Sequence, residues 1–364
     1  MRAHLVLALS LLALVPPTIA ISDPEPVVIA IIDTGIRPTH HAFAPGQIVA
    51  WYDFSNKEPR SNQTPWDPLV PTPYDLLGHG TAVASMAAGL AGLGLTPNFA
   101  PGTRLAIANV YNSATGGLPR ADTAEATRWA VDVAGADVII ITAASYLETE
   151  MTASHWALIE SIQYARAKGV LAVVPVGNGA LDVGLIPDTS WEANRGLISY
   201  SLLVGGARGH EQVVGCTGRY AFGLEVCGPY YPVGLPAGAV KDPEVTSDYV
   251  VTAACFQDDA CKWNPAGTSV SAPRAASLAA HFIAHARQEG RTLGADGLEW
   301  LIKQSAFTNS PYPPTLEGYG YLDEGAAARG EAILDGAPGP SGTNWDLRVE
   351  YVEHINAAES DLVS

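Results

Sequence analysis

Basic residues are scarce in this sequence. Its 364 residues hold 20 Lys plus Arg against 37 Asp plus Glu, a formal charge of −17. Phosphate contacts need clustered cations, so a chain with this balance is unsuited to nucleic acid. Charge of either sign is thin, at 16% against 48% hydrophobic residues. That excludes a disordered chain and describes a well-buried globular protein, long enough for one large domain or two ordinary ones. Internal repeats are absent, and no apolar run beyond the first twenty residues reads as a membrane span. Cysteine is sparse too. All four cysteines, Cys216, Cys227, Cys255 and Cys261, fall in one stretch, and none are at the C-x₂-C spacing common in zinc sites.

The N-terminal segment MRAHLVLALSLLALVPPTIA has an early positive charge at Arg2, an apolar run from Leu5 to Val15 and a small-x-small end at Thr18-Ile19-Ala20. It reads as a secretory signal peptide cut after Ala20, which implies a secreted protein, extracellular or periplasmic. The alternative, a membrane anchor, needs about 20 apolar residues, and this run is short for that. No stable membrane insertion is expected once the signal is removed. An even cysteine count in an exported chain points to disulfides. Of the three connectivities that four cysteines allow, the local pairs Cys216–Cys227 and Cys255–Cys261 are favoured, with free buried thiols as the alternative.

Continuous apolar, β-branched runs recur at Pro26–Asp33, Arg104–Val110, Asp137–Thr142, Gly169–Val176 and Ser199–Gly206. Such runs suit strands buried on both faces. Helical patterns lie between them at Thr81–Leu90, at Asp122–Ala134 with Asp122 as its capping residue, and at His155–Ala167. The alternation predicts an α/β fold with a mostly parallel central sheet and helices on both faces. Functional groups in such sheets collect at the carboxyl ends of strands. Ser55–Pro73 reads as a long surface loop, and Gly215–Trp263 as loops and short strands stapled by disulfides. The run GAPGPSG beyond Asp335 reads as a linker leading to an acidic tail.

Four polar residues stand at junctions of this pattern. Asp33 ends the first apolar run, and a carboxylate buried there needs a partner. His79 lies between Gly78 and Gly80 at the start of an Ala-rich helix. Asn178 follows a buried strand, again between glycines. Ser269 belongs to NPAGTSVSAP, where three hydroxyls, Thr268, Ser269 and Ser271, fall within four residues before Pro273. Each has an ordinary structural reading: a turn aspartate, a packed histidine, a turn asparagine, helix-start serines. Together they supply a nucleophile, a base, an orienting carboxylate and an oxyanion donor, once each.

The blocks IAIIDTGI, GHGTAVASMAAG, VGNGA and AGTSVSAP resemble the four signature blocks of the subtilisin-like serine peptidases, in the Asp, His, Ser chain order of subtilisin. APGTRLAIANV, GADVIIIT and GYGYLDEGAAA add to the resemblance, which spans about Val27 to Leu334. It implies a subtilisin-like fold and a serine endopeptidase acting on polypeptides through an acyl-enzyme. Ser269 would be the nucleophile, His79 the base and acid, Asp33 its orienting partner, and Asn178 the oxyanion donor. Substrate would pair with Thr142-Ala143-Ala144 and Val176-Gly177 as an added strand. The implied layout is a signal peptide at 1–20, a catalytic domain at 21–335 and a tail at 336–364.

Departures from the family pattern carry expectations too. Ala82 stands where a second His is usual. Ala144 in place of a glycine narrows the main specificity pocket and predicts a restricted cleavage preference. Only residues 21–32 separate the expected signal cut from Asp33, so no inhibitory prodomain fits, and the segment that usually helps bind calcium looks truncated. No cofactor is expected for the chemistry, no metal ligands are assigned, and structural calcium is not supported. The alternative function is a catalytically inactive, subtilase-like binding protein. An α/β-hydrolase esterase is disfavoured because GTSVS is not G-x-S-x-G. The sequence names no partner subunit.

Overall fold

The computed structural model describes residues 24–54, 75–142, 152–175, 200–207, 226–229, 252–265, 268–306, 319–320 and 322–339, with 206–207 and 226–229 described by backbone alone. Seven strands form one sheet: β1 Val28–Asp33, β2 Ile48–Asp53, β3 Arg104–Asn109, β4 Val138–Ile141, β5 Leu171–Pro175, β6 Ser201–Ala207 and β7 Val226–Pro229. Their order is β2-β3-β1-β4-β5-β6-β7, and every neighbouring pair is parallel. A small antiparallel pair, β8 Ala253–Ala254 and β9 Lys262–Trp263, stands apart.

Six helices complete the described fold: α1 His79–Ala88, α2 Arg120–Asp132, α3 Ala153–Ala167, α4 Thr268–Gln288, α5 Ala295–Ser305 and α6 Ala326–Leu334. The apolar runs become central strands because both sheet faces are covered. Ile29 and Ile31 of β1 face a core shared with α1, α4 and α5, whereas Ala30 and Ile32 face a core shared with α2 and α3. Alternate side chains of one strand thus enter opposite layers.

The chain leaves β1 to build β2 and β3 on one side, then crosses over to build β4 to β7 on the other. The order reverses beside β1, so the crevice beyond its carboxyl end is the topological switch point where such sheets hold their sites.

The five expected strands and three expected helices are present, with shifted edges. α1, α2 and α3 each begin two residues before the expected start. Asp122 is therefore not a cap. It lies in the first turn, where its charge suits the helix dipole, and Pro119 holds the N-cap position. The sequence suggests Pro273 for the first turn of its helix, but α4 begins at Thr268 and places Pro273 in the second. β2, at one edge of the sheet, was not among the expected strands. The Cys255–Cys261 disulfide is present, with Cα atoms 5.3 Å apart. Cys216 lies outside the described residues, as does the side chain of Cys227.

Candidate active site

β1 delivers Asp33 to the switch point. Its side chain is 1% exposed, yet both carboxylate oxygens are engaged. The Thr34 backbone N–H donates to Oδ1 at 2.6 Å, the Thr142 hydroxyl donates to Oδ2 at 2.5 Å, and His79 Nδ1 stands 2.9 Å from each oxygen. Burial alone would push this carboxyl up. The His79 charge and the hydrogen bonds from His79, Thr142 and Thr34 outweigh it and hold Asp33 below its usual 3.8. An ionised carboxylate only accepts, so the Nδ1 atom of His79 carries the proton and its Nε2 is the free base edge of the neutral ring. The same charge favours imidazolium and raises His79 above 6.5 against the opposing effect of burial, with a further contribution from Asp75.

His79 is the first residue of α1, and the turn before it is held by Asp75. This buried carboxylate accepts from the Thr34 hydroxyl and the Leu77 and Gly78 N–H groups through Oδ1. Through Oδ2 it accepts from the Thr81 N–H and hydroxyl. The Thr34 hydroxyl in turn accepts from the Gly80 N–H at 2.9 Å, tying the end of β1 to the first turn of α1. Glycine is required on both sides of His79. A Cβ on Gly80 would stand 2.2 Å from the Gly35 carbonyl oxygen, and Gly78 has φ +82 with Phe256 pressed against it. Sequence reasoning passed over Asp75. Its signal was an aspartate three residues ahead of Gly78 in DLLGHG, which by itself resembles routine capping.

α4 brings Ser269 to the same place. Ala272, Ala275 and Ala276 of α4 share one core with Val83, Ala84 and Ala87 of α1, and small side chains let the two helices approach closely. Thr268 and Ser271 are fully buried, whereas Ser269 is partly exposed and lines a small cleft with His79. Ala82, Val83, Met86, Trp263, Pro265 and Val270 form the rest of its walls. As the second residue of α4, Ser269 carries one of the N–H groups that a helix start leaves without an intrahelical acceptor. Thr142 turns its hydroxyl onto Asp33, a contact that the strand-addition expectation did not include. Ala143, Ala144, Val176, Gly177 and Asn178 lie outside the described residues.

A second titratable group lies on the far end of α4, where His281 and His285 stand at the H-x₃-H spacing that the argument against a zinc site took to be missing. His285, Glu289 and Asp335 hold their potential ligand atoms within 4.8 Å of one another. Arg291 already pairs with both of these carboxylates, so the group is an ion-pair network.

Residues 25–321 match the family described as the subtilase family of peptidases. The chain belongs to the subtilase family. It is therefore a serine-type peptidase. Solved structures with the same fold include a lanthipeptide protease, at 20% identity and TM-score 0.63, covering 85% of this chain and 87% of that one. The epidermin leader peptide processing serine protease of Staphylococcus aureus aligns at 18% identity and TM-score 0.61, over 86% of this chain and 76% of that one. The nisin leader peptidase of Lactococcus lactis aligns at 19% identity and TM-score 0.58, over 88% of this chain and 91% of that one. Among the described residues of this subtilase, no helix is long and apolar enough to cross a membrane.

Proposed function

We propose that this subtilase is a secreted serine endopeptidase that cuts polypeptides through an acyl-enzyme, with Asp33, His79 and Ser269 as its triad. The observation that carries the reading is the buried Asp33 holding His79 through Nδ1, with His79 sharing a cleft with Ser269. His79 Nε2 takes the proton of the Ser269 hydroxyl as its oxygen attacks the scissile carbonyl, and Asp33 stabilises the imidazolium that forms. His79 then gives that proton to the leaving amine. Water, activated by the same ring, hydrolyses the acyl-enzyme. The Ser269 N–H at the start of α4 and the Asn178 side chain are the oxyanion donors. Each role falls to a protein group, so the reading assigns no cofactor, and activity is expected to survive chelation by EDTA.

Secretion rests on the N-terminal segment with its expected cut after Ala20, and the Cys255–Cys261 bond suits an oxidising compartment. Restricted preference rests on Ala144, where a methyl would narrow the pocket. Cleavage of a peptide library by the secreted protein tests both parts. The expected result is a narrow set of cuts, lost in Ser269→Ala, from a chain beginning near Ile21. Equal cutting after every large residue would remove the restricted preference, and no cutting at all would favour the inactive binding protein.

A further inference from the structure

The loop from Cys255 to Cys261 touches all three segments that carry the proposed triad. The first is the chain just after Asp33. Arg37 donates from Nη1 to the Phe256 carbonyl at 2.8 Å and from Nε to Asp259 Oδ1 at 2.7 Å. The Thr39 hydroxyl also donates to Asp259 Oδ1, the His41 N–H donates to the Asp259 carbonyl, and His40 Nε2 stands 2.9 Å from the Cys261 carbonyl.

The second segment is the turn that presents His79. The ring of Phe256 occupies the space beside Gly78, where a Cβ would come within 2.3 Å of it. The third is the approach to Ser269. The chain leaves the loop through Trp263 and Pro265, which wall the cleft, and Trp263 Nε1 donates back to the Ala254 carbonyl at 3.1 Å. The Ala254 N–H in turn donates to the Ser85 hydroxyl of α1. Around the loop itself, β8 and β9 have two residues each, too few to hold a hairpin closed alone. The Cys255–Cys261 bond supplies the missing constraint.

We propose that this disulfide loop is a positioning element for the triad, and that a dithiol turns the peptidase down by opening it. The inference rests on the triad reading above. Cys261 is partly exposed and Cys255 is buried, so the incoming thiolate attacks the Cys261 sulfur. The S–S bond breaks, Cys255 leaves as thiolate, and a mixed disulfide forms at Cys261. The second thiol of the dithiol then attacks its own sulfur and releases Cys261. In sum the protein disulfide gains two electrons and two protons, and the dithiol becomes a disulfide. Phe256 and Trp263 then lose their shared anchor, and His79 and Ser269 lose their mutual placement while β4 and β5 stay in the sheet.

The test measures peptide cleavage by the full protein before and after dithiothreitol, with mass spectrometry of alkylated Cys255 and Cys261 to show the bond open. Thermal melting must show the fold intact at the assay temperature. The expected result is a kcat about 10²-fold lower with KM unchanged, restored on reoxidation. Cys255→Ser/Cys261→Ser should show the same low kcat and no response to dithiol, which separates this bond from the other two cysteines. Should that variant not fold, Phe256→Ala in the cross-linked chain should still lower kcat without raising KM, and Phe256→Tyr should recover it. Full kcat with the bond open, or a loss confined to KM, would overturn the proposal. A wild-type oxidised protein with no activity, or an active Ser269→Ala, would instead overturn the triad reading.

Discussion

Two helices of this protein begin with a histidine in the first turn, and the two rings are used in opposite ways. At the start of α3, His155 is buried, and its Nδ1 accepts from the Thr152 N–H at 3.2 Å in a capping box, filling the place usually taken by Glu or Gln. At the start of α1, His79 caps nothing. A separate carboxylate, Asp75, satisfies the Gly78 and Thr81 N–H groups, and the ring keeps 39% side-chain exposure with Nδ1 donating to Asp33. The residue type is the same and both lie in a first turn, His155 as the third residue of α3 and His79 as the first of α1. What also differs is that at α1 another group, Asp75, does the capping, which leaves the His79 ring to Asp33.

Substitutions that break this contrast are ordered by expected effect. Ser269→Ala and His79→Ala should each lower kcat roughly 10⁶-fold, measured as single turnover on a cleavable peptide. Asp33→Asn should cost about 10⁴-fold, because the amide no longer fixes the Nδ1–H tautomer. It should also move the acid limb of the pH profile. The base works only when neutral, and the ionised Asp33 makes His79 keep its proton to a higher pH, so wild-type activity should fall as pH drops through a value above 6.5. Without that charge the limb should move to lower pH, and an unmoved limb would contradict the assigned pair.

Asp75→Ala leaves three N–H groups and two hydroxyls without their acceptor. It should cost roughly 3 kcal/mol in denaturant unfolding, and displacing His79 should lower kcat about 10²-fold. The mildest change is His155→Ala. It should cost about 1 kcal/mol of stability and leave kcat unaltered. A catalytic loss there would erase the distinction between the two histidines.

Five of the seven described sheet strands were legible in the sequence because burial on both faces turns them into continuous apolar runs; β2 and β7, at the two edges, were not. The proposed triad was read from glycines and order along the chain, which mark Asp33, His79 and Ser269 together. Asp75 was not, since a capping aspartate looks the same whether it serves an ordinary helix or the one that presents a catalytic base. The motif GTSVS alone did not separate its three hydroxyls; the family resemblance singled out Ser269, and packing independently sets buried Thr268 and Ser271 apart from Ser269 at the cleft. The starts of α1 and α2 have Gly78 and Pro119 before them, with no side-chain cap to mark the edge; α3 also started two residues early although Thr152 caps it.

The central claim, that His79 activates Ser269, is tested most directly by reaction with a fluorophosphonate followed by peptide mapping. The account predicts a single adduct on Ser269 in the wild type, formed faster as pH rises past the His79 transition, and nearly none in His79→Ala. An adduct on Thr268 or Ser271, or equal labelling of Ser269 when His79 is absent, would contradict it.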